Sequence, residues 1–374
     1  MEKPFVYGKF VEGQNFTGRV KELHRLKLDF ENGVNVILMS RRRMGKTSLV
    51  KKAISELSKP NVKAVYMDIY DCRSEYDFYN RFASALMKAT ASRMEQVMEN
   101  VREFLVRVSP RLSFSPEPNS DFSLSLGITP QTYQPEEILQ LPEQIAQRRG
   151  YHLVVCIDEF QQIGEFPDSL TIQKRLRGVW QHQQDVSYCL FGSKKHLMTS
   201  LFLKKSMPFY MFGEMLSLGK IPTEDWVPFI CSRFKTEGKH IQEMQAEWLC
   251  RQVDNYSSYV QQLAWIVMAN TVDEVTDEVL QNSLDELLNQ CSELFIQQTQ
   301  GLTTYQLNLL RAICSGIHRD FGHSEVKERF PLGSKSNFVR LKTALVEKEL
   351  IEADKDELII PDPVLIKWLK REMM

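Results

Sequence analysis

The chain has 374 residues, 43% of them apolar, and its 47 lysines and arginines nearly balance 48 aspartates and glutamates. The length excludes one small domain and predicts several, each with its own core, while the charge balance excludes a global field toward nucleic acid or membrane and leaves only local patches for such binding. MEKPFVYGKF lacks the apolar core of a secretion signal, no run approaches the roughly 18 apolar residues of a membrane span, and the seven cysteines stand singly, so the expectation is a cytoplasmic protein with reduced thiols and no membrane contact.

NFTGRVKELHRL, residues 15–26, combines an N-cap threonine, Thr17, a glycine turn and a helix. Its Phe16, Gly18 and Arg19 are candidates for the adenine side of a nucleotide site, with a purely structural lead-in as the competing reading. From Val34 the pattern runs apolar stretch, glycine turn, helix and apolar stretch again, which is the rhythm of βα units on a parallel sheet. VNVILMS predicts the first strand. MSRRRMGKTS follows it, ending as the phosphate-loop pattern G-x-x-x-x-G-K-[ST] requires but carrying Ser40 in place of the first glycine. The tripeptide GKT alone is weak, and its context decides: a strand before it and a helix after it aim backbone N–H groups and a helix N-terminus at one place, where they can hold an anion. Arg43, Met44, Gly45, Lys46, Thr47 and Ser48 are therefore the candidate phosphate cradle, with Lys46 reaching the β- and γ-phosphates and the Thr47 hydroxyl ligating Mg²⁺. Ser40 is admissible if it takes the turn without a positive φ.

TSLVKKAISELS has helical spacing until Pro60 stops it, and VKAVYMDIYD predicts the second strand. A helical region from about Ser74 to Val108 precedes the Pro/Ser-rich PRLSFSPEPNSDFSLSLGITPQ, whose alternating stretches around PEPNSD predict a β-hairpin insertion at about 110–130. HLVVCIDEF, VSYCLFGSK and EMLSLGKI supply the third, fourth and fifth strands. The third ends in Asp158-Glu159, which places carboxylates at the carboxyl end of a buried strand, where α/β sheets bind ligands. Asp158 suits the Mg²⁺ shell and Glu159 the general base that orients an attacking water. Ser193, at the end of the fourth strand, either reaches the γ-phosphate or caps the next helix.

After Pro222 only helical periodicity remains to about Gln300. From Leu302 three helices, a short strand pair around DKDE and a last helix follow, the layout of a winged helix-turn-helix. The fold class expected is thus an α/β P-loop NTPase, a parallel sheet flanked by helices, over residues 1–222, then an all-α lid over 223–301 and a winged helix over 302–374. On the winged helix Lys335, Arg340, Lys342 and Lys355 are the contact candidates for duplex DNA. The tail from Leu302 is nearly neutral, with twelve basic and eleven acidic residues, which equally suits a protein client.

NFTGRVKEL, SRRRMGKTSL, VVCIDEFQQI, YCLFGSKKHLM and PFYMFGEM, with YVQQLAW and the winged-helix tail, together resemble the prokaryotic archaeal-type ATPases, a branch of the AAA+/STAND P-loop ATPases. The resemblance spans almost the whole chain and implies an ATPase core, a helical lid and a winged helix, with ATP and Mg²⁺ as ligands. Two positions depart from the family: Arg41 stands where the loop has proline, and DNYSSYVQQL in the lid holds no arginine. Arg175 and Arg177, after the third strand, are candidates to act across the interface of a homo-oligomer. The function expected is Mg²⁺-dependent ATP hydrolysis that rearranges core, lid and winged helix; a slow nucleotide switch and a DNA-binding regulator are the alternatives.

Overall fold

A computed structural model describes residues 3–90, 135–354 and 356–373. The expected hairpin at 110–130 and the second half of the helical region ending at Val108 lie outside them. Contacts group the chain into two compact units, Arg19–Gly219 and a second formed by Met1–Gly18 with Lys220–Met374.

The first unit runs α1 (Val20–Glu31), β1 (Val36–Met39), α2 (Lys46–Ser55), β2 (Val62–Asp68), α3 (Glu75–Thr90), α4 (Pro135–Leu139), α5 (Leu141–Arg149), β3 (His152–Asp158), α6 (Ser169–Trp180), β4 (Val186–Gly192), α7 (Lys195–Phe202) and β5 (Glu214–Ser217). All five apolar runs form strands, and they pair in parallel in the order β2-β3-β4-β1-β5. Parallel strands covered by helices on both faces read as continuous apolar runs, and β4 is buried from end to end. One core gathers between sheet and helices, with Trp180 stacked on Tyr188 at 4.1 Å between ring centroids and Phe209 set edge-on against Phe160 at 5.3 Å. Rings of this size, fully buried, each contribute about 1.5–3 kcal/mol. The order places β4 between β1 and β3, so that Met39 lies beside Gly192 and Ile157 beside Leu190. The carboxyl ends of these three strands consequently open at one edge of the sheet, where α/β proteins collect their ligands.

The helix expected from an N-cap at Thr17 begins later, at Val20, with Arg19 as its N-cap residue. Gly18 and Arg19 both hold positive φ, 62° and 64°, a left-handed pair that an α-helix cannot continue through. The Thr17 hydroxyl instead donates to the Asp225 carbonyl at 3.5 Å.

The second unit also takes in the start of the given chain. Residues 1–18, read with the core, belong to it: Phe5 lies edge-on to Phe229 at 6.0 Å and beside Phe234 at 6.1 Å, and the Val6 amide donates to Gln261 Oε1 at 3.2 Å. A lone aromatic in a polar N-terminal stretch carries no periodicity to announce such a partner. The helices α8 (Thr223–Thr236), α9 (Glu243–Gln252), α10 (Ser257–Asn270) and α11 (Asp277–Thr299) are continued by α12 (Thr304–Cys314), α13 (Ser324–Arg329), α14 (Lys335–Glu347), the antiparallel ribbon β6 (Glu352–Asp354) and β7 (Glu357–Ile359), and α15 (Pro363–Met373). Across the expected division at residue 301, α15 turns back onto the earlier helices. Tyr259 donates to Asp362 Oδ2 at 2.7 Å, the Trp368 indole to Ser292 Oγ at 3.0 Å, and Lys367 to Gln252 Oε1 at 2.8 Å. Among the described residues no helix is long and apolar enough to cross a membrane.

Candidate functional site

The turn after β1 resolves the missing glycine. Ser40 is not among the residues with positive φ; the left-handed steps fall on Arg43 (62°) and Gly45 (87°). Ser40 is buried and its hydroxyl donates to the Arg41 carbonyl at 2.9 Å, a local bond that holds the entry to the turn in the way short polar side chains do. Gly45 then supplies the φ that lets the chain enter α2 with its first amides facing outward from the sheet edge.

Lys46 opens α2 and is only 6% exposed. Burial pushes its amine below the ordinary lysine value, against the pull of the Glu159 and Asp158 carboxylates, and its Nζ donates to the Arg41 carbonyl at 3.3 Å. A buried ammonium satisfied mainly by a backbone carbonyl is an underused cation beside two acids. Ser48 and Met44 are buried with it, and the Met44 carbonyl accepts from Arg19 Nη2 at 3.2 Å. Arg19 is itself buried and also meets Glu22 at 3.1 Å. The segment read as an adenine wall therefore divides: Arg19 braces the turn after β1, while Phe16 and Gly18 belong to the other unit.

Across β4, the end of β3 presents Asp158, 4% exposed. Thr47 Oγ1 donates to its Oδ2 at 2.7 Å, Tyr66 to the same oxygen at 3.0 Å, and the Glu159 amide to Oδ1 at 2.9 Å. Burial nevertheless raises the Asp158 carboxyl above its ordinary value, the Thr47 bond opposing and Glu159 and Asp68 adding to the rise. A desolvated carboxylate and a hydroxyl brought to one point from two elements fit a small hard dication, which prefers such oxygen ligands and keeps waters or phosphate oxygens in its other positions. Tyr66 on β2 has its phenol pushed up by the same burial and by Asp158.

Glu159 follows at φ 55°. A non-glycine residue in the left-handed region stores strain of about 1–3 kcal/mol and persists where its surroundings fix it. Its Oε2 accepts from Ser193 Oγ at 2.8 Å and from Gln161 Nε2. Ser193 thus acts on the acid and not as a helix cap, since α7 begins at Lys195 with Lys194 in the cap position. Gln161 is 2% exposed, and among the described residues its Oε1 has no partner. It packs flat against β4, where a Cβ added to Gly192 would come within 1.8 Å of that oxygen.

No protein-family profile and no curated protein matches the sequence. Solved structures do. A Walker-type ATPase of Pyrococcus abyssi superimposes with a TM-score of 0.71 at 15% identity, over 98% of this chain and 100% of that one. The ORC2 protein of Aeropyrum pernix, in its ADPNP–ADP complexes, gives 0.57 at 15% identity over 96% of each chain, and its ADP form 0.55 at 13% over 98% and 96%. The chain has the fold of a Walker-type ATPase.

Within that fold the structure brings together the turn after β1, Asp158, Glu159 and Ser193. It does not bring Arg175 or Arg177 into their hydrogen-bond network. Arg175 is held by Glu75 at 2.7 Å and Glu136 at 3.4 Å, an ion-pair group that ties α6 to α3 and α4. The Arg177 guanidinium lies over the Phe212 ring at 4.8 Å and forms no ion pair among the described residues; burial lowers its pKa. Sequence reasoning passed over Tyr66 and Gln161. Gln161 stands in the DEFQ stretch that marks the resemblance, so a signal for it existed. Tyr66 becomes visible only once β2 is known to pair with β3, which sets Tyr66 beside Cys156.

Proposed function

We infer that this protein binds ATP with Mg²⁺ and hydrolyses it to ADP and phosphate. The reading is carried by the meeting of Thr47 and Asp158 at 2.7 Å beside a buried, underpartnered Lys46. Residues 43–48 offer backbone amides to the phosphates, Lys46 a charge to the β- and γ-phosphates, and Thr47 and Asp158 the protein ligands for Mg²⁺. The metal, when bound, neutralises charge that builds up between the β- and γ-phosphates. Glu159 accepts the proton of the attacking water, and Ser193, already bonded to Glu159, bridges that acid to the γ-phosphate side. The expected coupling is between nucleotide state and the arrangement of the core, the helical region and the winged-helix segment. Glu159→Gln should keep nucleotide binding and lower turnover by about 10²–10⁴-fold; wild-type turnover in that variant would refute the base assignment.

A slow switch is favoured by one observation. Glu159 Oε2 already accepts two hydrogen bonds, which fix the carboxylate's orientation and leave Oε1 as the oxygen for a water, so turnover depends on whether that fixed orientation meets the water. A role for Arg177 across a homo-oligomer interface requires it to leave the Phe212 ring. The succession of three helices and a ribbon supports a winged helix in which α14 carries the exposed Lys335 and Arg340 with Lys342 half-buried. Contact with duplex DNA through them predicts binding that weakens steeply with salt; Lys355, the wing candidate, lies outside the described residues.

A further inference from the structure

We propose that the helical unit holds a second ligand site, a pocket for a planar ring that carries a phosphate. A cavity of about 460 Å³ opens between the turn after α12, the start of α14 and the ribbon, within the size range of small-molecule sites. Its floor is apolar. Phe321 and Phe338 lie 5.3 Å apart at 32°, a near-parallel pair onto which a further flat ring adds with favourable offset stacking, and Leu332 and Leu358 are buried beneath.

Its rim is cationic. Arg319, Lys327, Lys335 and Lys342 line the cavity from four positions on the turn, α13 and α14, and among the described residues none of the four has an ion-pair partner. Asp320 and Asp356 are the acids of the same rim, so four cations face two carboxylates. Like charges gathered around an apolar floor repel one another, and a dianion between them removes that repulsion. The combination selects the ligand. Inorganic phosphate would satisfy the rim and leave the floor wet, an uncharged ring would do the reverse, and a base-paired nucleotide has its ring face covered by its neighbours. A free nucleotide and the end of a single strand share the required chemistry, a flat ring next to a phosphate.

The site stands apart from the ATP reading, because its residues all lie in the helical unit. It does use Lys335 and Lys342, which were also candidates for duplex contact, whereas Arg340 does not line the cavity and separates the two uses. The test takes the full chain carrying Lys46→Ala, so that the phosphate loop does not compete, and titrates it with 1-naphthyl phosphate by fluorescence. Saturable one-site binding is expected, at least tenfold weaker in Lys335→Gln/Lys342→Gln and in Phe338→Leu, and unchanged in Arg340→Gln. Inorganic phosphate and 1-naphthol should each compete at least tenfold less well than the naphthyl phosphate competes with itself. Displacement by AMP identifies a free nucleotide as the source, and displacement only by a 5′-phosphorylated single-stranded hexamer identifies a strand end; either supports the pocket. Unaltered affinity in the double-lysine variant, competition by inorganic phosphate equal to that of the probe, or displacement by neither nucleotide nor hexamer overturns it.

Discussion

Gly192→Ala is the sharpest test of the site's geometry. A Cβ at this position would lie 1.8 Å from Gln161 Oε1, 3.0 Å from its Cδ and 3.2 Å from Met198 Sδ. Gln161 is 2% exposed and has no solvent to swing into, so either β4 shifts or Gln161 leaves its place and gives up its hydrogen bond to Glu159. Overpacking of this kind costs about 1–3 kcal/mol. Read by hydrogen exchange in the β4 amides, that is a 5- to 150-fold faster opening of the unit. Adding the substitution to Gln161→Ala should cost almost nothing, because the alanine vacates the contested volume, and the cycle should return a coupling energy of about the same 1–3 kcal/mol. Wild-type exchange in Gly192→Ala, or additive losses in the double variant, would refute the packing of Gln161 against β4.

Three further outcomes are expected. Lys46→Met should abolish ATP binding in equilibrium dialysis and yet stabilise the nucleotide-free protein by about 1 kcal/mol in thermal melts, since it removes a desolvated charge. His152 has its pKa lowered from 6.5, first by burial and against the pull of Asp185 and Glu143, and its Nε2 meets Ser187 Oγ at 3.0 Å. The neutral ring is the form the fold accepts, so its contribution is complete above pH 6.5 and is lost as pH falls through the lower folded value; melting temperatures of His152→Gln should decline less than those of the wild type on acidification from pH 6.5. Tyr259→Phe deletes a hydrogen bond to the Asp362 carboxylate, which also caps α15 through the Val364 and Leu365 amides at 2.9 and 3.1 Å, and should speed exchange in residues 363–373 about tenfold at a cost of about 1–2 kcal/mol.

The sheet was legible because each strand is a short run of consecutive apolar residues between turns, the pattern that two-sided burial imposes. The turn between β1 and α2 was legible because GKT sits where a strand becomes a helix. Strand order was not, for it depends on pairing β1 with residues 153 positions away, and with it went the position of Ser193 against Glu159 and of Tyr66 against Asp158. The cap at Thr17 failed for a local reason: two successive left-handed residues, one of them an arginine, override the preference of threonine for a helix start. The contacts of Phe5 and α15 with the helices after Pro222 were not legible for a remote one, since they are side-chain contacts that leave no periodic mark.

The interleaved strand order also fixes a timetable for the chain as it is made. β1 flanks β4 and β5, so the phosphate loop, complete at residue 48, has no sheet to stand on until residues 186–217 have left the ribosome, and pairing over such separations is slow to nucleate. Residues 3–18 wait longer, because Phe5 meets Phe229 and Phe234. Residues 3–18, made long before the helices they pack on, are thus among the last to find their place, and a truncated or stalled product would expose them to the cell's proteases and chaperones for the whole of that interval.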